Sequence, residues 1–153
     1  MIEQVINELS KQGVFKNTEI ITLEMRKQYA ITYSKLTKGN WDALSISNQK
    51  YALKLAGLNL NKVLKSNKSG FVYCISNPSF PKHIKVGITK DIDKRLASYQ
   101  TYDPYRAFKI ETYRFVCDKR LIEKDILREY KADLDKGEWV SDKSVIQYIK
   151  SLY

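Results

Sequence analysis

The sequence predicts an α+β fold, a small antiparallel-type sheet flanked by helices, preceded by an α-helical N-terminal region. Three observations predict it. Up to about Leu64 the apolar residues recur at helical spacing, and from Phe71 they alternate with period two, as in strands. Between the two regimes lies Lys65-Ser66-Asn67-Lys68-Ser69-Gly70, small and polar, the best linker candidate in the chain. The domain reading is therefore a helical region over 1–66 and a second domain over 69–153.

Ile2, Val5, Ile6 and Leu9 predict a first helix with Gly13 as its stop. Asn17 or Thr18 is the candidate cap of a second, running through Ile20, Leu23, Met25 and Tyr29, with a break around Lys38-Gly39-Asn40. Ser47 precedes a third helix over Tyr51–Ala56 stopped by Gly57, and Leu60–Leu64 reads as one short further helix. Phe71, Tyr73 and Ile75 alternate with Val72, Cys74 and Ser76 in a strand. Asn77–Pro81 is a loop, and His83–Ile88 returns as the second arm of a hairpin. A helix over Ile92–Tyr99 capped by Asp91, a β-type run over Phe108–Cys117 and a helix over Leu121–Lys131 follow. The last helix, capped by Ser141, carries Val145, Ile149 and Leu152 at i, i+4, i+7. The order β-β-α-β-α-α suits helices on a small sheet.

The chain of 153 residues is 43% hydrophobic, enough for a modest core or two small ones. Its net charge is +10 and its pI near 9.5, which favours a polyanionic partner, because each Lys or Arg on a phosphate releases a counterion. The charge is spread: 10 Lys+Arg against 5 Asp+Glu over 1–66, and 17 against 12 in the remainder. Cys74 and Cys117 form no CxxC pair, and with a single histidine, His83, they cannot build a zinc site. Both sit in apolar runs and read as buried free thiols, which suits a reducing compartment. No apolar run approaches the roughly 20 residues that span a bilayer, and the first residues lack a signal-peptide layout. The expectation is a cytoplasmic protein that does not enter the membrane.

Gly70-Phe71-Val72-Tyr73, then Lys85-Val86-Gly87-Ile88-Thr89, then Arg95-Leu96, resembles the GIY-YIG nuclease superfamily. Tyr73 stands for the tyrosine that closes the first motif. Val86-Gly87 stands for the end of the second, with Lys85 where that motif has tyrosine, as in some restriction-enzyme members. Arg95 and Tyr99 fall one helical turn apart where the family keeps arginine and His or Tyr, and Glu123 falls where it has its metal-binding glutamate. Gly137-Glu138-Trp139 is similar to a signature of the branch found in phages and large DNA viruses. The asparagine that some members place after the glutamate has no match. The resemblance implies a metal-dependent DNA endonuclease of phage or mobile-element origin.

The residue types suit that chemistry. Phosphodiester hydrolysis needs an activated water, a cation at the leaving oxygen and neutralisation of charge on phosphorus. Glu123 offers a hard oxygen ligand to Mg²⁺ or Mn²⁺, and Arg95 a planar fork for phosphate oxygens. Tyr73 is the general base that the resemblance implies; a Lys85 ammonium facing it across the hairpin would favour its phenolate, with Tyr99 orienting the water or sharing its proton. His83 and Glu138 are accessory candidates. Arg26, Lys27, Lys50, Lys54 and Lys90 are candidate DNA contacts, and the N-terminal helices are read as DNA-binding or homodimerising. Trp41 and Tyr51 are read as core in preference to base-stacking residues. No small-molecule cofactor is expected. The alternatives are a non-catalytic DNA-binding module of the same fold and a protein-interaction factor.

Overall fold

The structure, a computed structural model, describes residues 2–15, 21–38, 45–135 and 137–152. Six helices and one four-stranded antiparallel sheet lie among them, arranged as two compact units, residues 1–66 and 67–153.

The first unit is helical: α1 (Ile2–Lys11), α2 (Leu23–Thr37) and α3 (Ile46–Lys65). Val5, Ile6 and Leu9 of α1 are buried with Phe15, Tyr29, Ala30, Tyr33, Ala52 and Ala56. Gly13, at φ +78°, turns the chain out of α1, the left-handed conformation that glycine adopts without penalty. Two expectations are corrected here. Helix α2 is capped by Thr22, whose hydroxyl accepts from Met25 N, and begins at Leu23; Asn17, Thr18 and Ile20 lie outside the described residues, as do Gly39, Asn40 and Trp41.

The third helix is a single one of 20 residues, capped by Ser45 and running through Gly57 to absorb the separate Leu60–Leu64 piece. Gly57 costs a helix only about 1 kcal/mol, and packed Ala52 and Ala56 with straight-chain neighbours offset that. A Cβ at Gly57 would meet nothing within 4 Å. Gly57→Ala is therefore expected to stabilise the chain by about 0.5–1 kcal/mol, read as a rise in the urea midpoint with no change in slope.

The second unit holds β1 (Gly70–Ser76), β2 (Ile84–Thr89), α4 (Ile92–Thr101), β3 (Lys109–Val116), α5 (Lys119–Glu129), β4 (Trp139–Val140) and α6 (Ser144–Ser151), with sheet order β3-β1-β2-β4. β1 pairs with β2 through Tyr73↔Gly87 and with β3 through Tyr73↔Tyr113, and β2 pairs with β4 through Lys85↔Trp139. Alternation divides the sheet into two faces. One face turns Val72, Cys74, Ile84, Val86, Val116 and Val140 into a core with Ile126 and Tyr130 of α5 and its C-terminal end and Val145 and Ile149 of α6. Each such large apolar side chain contributes roughly 1.5–3 kcal/mol by leaving water. The other face carries Phe71, Tyr73 and Ile75 of β1 with Lys85 and Gly87 of β2.

β4 was not anticipated: two residues are too short to show alternation, and Gly137 (φ +59°) turns the chain into it. Ser141 does not cap α6. Its hydroxyl donates to Asp133 O, and Asp142 accepts from Ser144 N. Cys74 is fully buried, its thiol pushed up to about 12 by burial, whereas Cys117 lies just past β3 and is half-buried.

Candidate functional site

The hairpin places the centre of the site. Tyr73 is only 1% exposed, its ring lying over Gly87, its partner on β2. A Cβ at position 87 would overlap the Tyr73 phenol, so glycine is there to give the ring its place. Gly87→Ala is expected to destabilise the second unit by about 1–3 kcal/mol, the range for overpacking a filled site, and to shift the Tyr73 ring signals in a two-dimensional NMR spectrum.

Helix α4 brings the next two residues. Asp91 caps it by accepting from Lys94 N, and the Gln100 side chain ties its far end to Phe108 through two hydrogen bonds of 2.8 and 3.0 Å. Arg95 and Tyr99, four residues apart, share one helical face. The Tyr99 hydroxyl meets that of Tyr73 at 3.0 Å, with the rings edge-on. Burial, the hydrogen bond to Tyr99 and the negative charge of Glu138 all hold the Tyr73 phenol neutral, far above its ordinary value; Arg95 pulls the other way.

Lys85 does not face Tyr73 across the hairpin. The partner of Tyr73 is Gly87, and Lys85 lies opposite Ile75 on β1 and Trp139 on β4. Its ammonium pairs with Glu138 at 3.7 Å and rests over the rings of Tyr99 and Trp139 at 5.8 and 5.7 Å. Glu138 is fixed by the backbone: Val86 N donates to its carbonyl at 3.0 Å, extending the β2–β4 ladder. Glu123, half-buried on α5, has its carboxyl raised by burial first and by the nearby Glu138 charge second, with Arg120 and Lys85 opposing. Among the described residues Glu123 forms no ion pair within 4 Å.

The structure thus sets Tyr73 within electrostatic reach of Tyr99, Arg95 and Glu138, and Glu123 within reach of Glu138 and Lys85, with Glu138 common to both groups. It places His83 elsewhere, bonded through Nε2 to Asp135 at 2.8 Å. Of the candidate nucleic-acid contacts, Lys50 and Lys54 are exposed and four residues apart on α3. Lys27 is half-buried, and Arg26 is taken up in packing, its guanidinium 5.5 Å from the Phe15 ring. Lys90 is exposed and donates to Ser69 Oγ at 3.0 Å. Tyr51, read as core, is 63% exposed. The sequence reading missed the basic start of α5. Lys119, Arg120 and Lys124 line a cavity of about 500 Å³ with Asn67 and Lys68, and Lys119 donates to the carbonyls of Asn67 and Ser69. The signal was present in the three-residue spacing of Arg120 from Glu123.

Fold and site together define a small mixed α/β domain in which two carboxylates, two tyrosines and two cations lie near one another beside a four-stranded sheet. The chain belongs to the T5orf172 domain family, a phage-associated family of nuclease-like context, whose model matches residues 70–149, more than half of the chain and nearly all of the second unit. No curated protein and no solved structure matches it. No helix among the described residues is long and apolar enough to cross a membrane.

Proposed function

We propose that the second unit is a metal-dependent DNA endonuclease of GIY-YIG type. The observation that carries the reading is the convergence of Tyr73 of β1, Lys85 of β2, Arg95 and Tyr99 of α4, Glu123 of α5 and Glu138 just before β4. A structural ion pair would need only two of them.

The donor set fits Mg²⁺ or Mn²⁺. Such an ion takes one or two protein carboxylates and keeps its other positions for water and substrate oxygens, and Glu123, which has no ion-pair partner among the described residues, lies close enough to Glu138 to feel its charge. When bound, the ion would polarise the phosphate and stabilise the departing oxygen. Arg95, exposed on α4, grips non-bridging phosphate oxygens. Lys85 holds Glu138 and, resting over Tyr99, fixes that ring. Tyr99 is the half-exposed member of the tyrosine pair, so its hydroxyl meets the attacking water, and Tyr73 behind it holds that hydroxyl through the 3.0 Å hydrogen bond between them. A neutral Tyr73 in the resting site gains basicity only as positive charge gathers beside it, and Arg95 already contributes in that direction.

The first unit, with Lys50 and Lys54 on one exposed face, is proposed to lie along the DNA backbone. A binding-only reading has one observation in its favour: Tyr73 is buried beneath Tyr99, which pushes its phenol away from the basic form. Incubating the chain with phage and bacterial genomic DNA in Mg²⁺ or EDTA, then sequencing the ends, separates the two. Discrete new ends that need the metal support the nuclease. Intact DNA in every condition, together with salt-sensitive binding, makes the domain a binding module.

A further inference from the structure

The loop between β1 and β2 holds a pocket that the proposed reaction does not use. Phe80, His83, Asp135 and Trp139 line a cavity of about 300 Å³, at the lower end of ligand-sized cavities, roughly 300–1,000 Å³. Two of its walls are aromatic: the Phe80 and Trp139 rings lie 5.3 Å apart at 55°. The others are polar, the His83 imidazole and the Asp135 carboxylate, joined at 2.8 Å. Phe80 is 48% exposed, so its ring is accessible to a stacking partner.

The loop is also stiff. Phe80 N donates to Asn77 O at 2.9 Å and His83 N to Phe80 O at 3.1 Å. The Asn77 side chain accepts from Ser79 N at 2.9 Å and donates to Asp103 at 2.8 Å. A loop whose backbone is bonded in this way loses little freedom when a ligand binds.

Trp139 joins this pocket to the phosphate-directed cluster, because the same indole carries the Lys85 ammonium at 5.7 Å. We infer that the pocket takes one unpaired nucleobase of the DNA strand whose phosphate lies at the proposed cleavage site beside Lys85. The base stacks on Phe80 and Trp139 while His83 and Asp135 hydrogen-bond its polar edge. The inference rests on the nuclease reading for its choice of ligand, and it makes the domain selective for unpaired or distorted DNA over a regular duplex.

The test is a binding measurement in EDTA, where nothing is cut. Two short DNA duplexes are compared, one fully paired and one carrying a single extrahelical 2-aminopurine. The expected result is tighter binding of the second by roughly 5- to 150-fold, the worth of one stacked base, with quenching of the 2-aminopurine fluorescence. Phe80→Ala, on an exposed loop and checked for folding by circular dichroism, should bring the ratio close to one and restore the fluorescence. Equal binding of both duplexes, or a preference that Phe80→Ala leaves undiminished, overturns the pocket and leaves the nuclease reading standing. Binding of neither duplex at low salt overturns both.

Discussion

Glu123→Gln is expected to abolish DNA cleavage, by about 10³-fold or more, while leaving the fold as stable as before or more so. The activity loss follows from the proposed role. A metal's stabilisation of transition-state charge is worth several kcal/mol, and each 1.36 kcal/mol is tenfold in rate. A neutral amide of the same shape retains the packing and gives up the charged ligand.

The stability effect follows from the direction of the Glu123 shift. Burial and Glu138 raise its carboxyl above the ordinary value, so folding favours the protonated form. That contribution is complete below the unfolded-state pKa and is lost as pH rises through the raised folded value. At neutral pH the ionised carboxylate is therefore a cost that the metal-free protein bears, and glutamine removes it. Thermal unfolding of the two chains in EDTA should show the variant's advantage at pH 7 and its disappearance in acid, where wild-type Glu123 is neutral as well. A variant that unfolds far more easily than wild type at pH 7 would make Glu123 a structural residue and void the assignment. The pattern is that of a functional group kept at the expense of stability.

The second large effect concerns the tyrosine pair. Tyr73→Phe and Tyr99→Phe are each expected to lower kcat by about 10²-fold or more, the lower end of what a positioned proton-transfer group supplies. Because the two hydroxyls act through one 3.0 Å hydrogen bond, the double variant should be no slower than the worse single one. Groups that act as a unit are non-additive in this way. Losing the bond itself should cost only about 0.5–1.5 kcal/mol of stability, so all three variants should fold. Single-turnover rates at saturating metal give the answer. Independent, multiplying losses would separate the two tyrosines, and an unchanged rate in Tyr73→Phe would confine that residue to the core.

Much of the second unit was legible because its residues carry their own signals. The alternation over Phe71–Ser76 predicted β1, Asp91 announced the start of α4, and the four-residue step from Arg95 to Tyr99 put both on one face. Other features depend on partners distant in sequence. The neutral state of Tyr73 follows from burial beneath Tyr99, and no local pattern states that a strand tyrosine will be covered. The pairing of Lys85 with Glu138 in place of Tyr73 follows from register: one residue of hairpin alignment decides which side chain faces Tyr73, and Gly87 holds that position. β4 exists because β2 offers an edge to a two-residue segment. In the first unit, Gly57 reads as a stop because glycine breaks helices on average; packing of α3 through Ala52 and Ala56 outweighs a penalty of about 1 kcal/mol. Tyr51 failed as a core residue for the complementary reason: it lies on the exposed side of α3, close to Lys50 and Lys54.

The most direct test of the central claim is a side-by-side incubation of supercoiled plasmid with the wild-type chain and Glu123→Ala, each in Mg²⁺, Mn²⁺ or EDTA. The expected result is conversion to open-circular or linear DNA by the wild type in either metal, absent in EDTA and absent for the variant. Conversion by Glu123→Ala at the wild-type rate would contradict the account, because the cluster around Glu123 would then not be where the phosphodiester is cut.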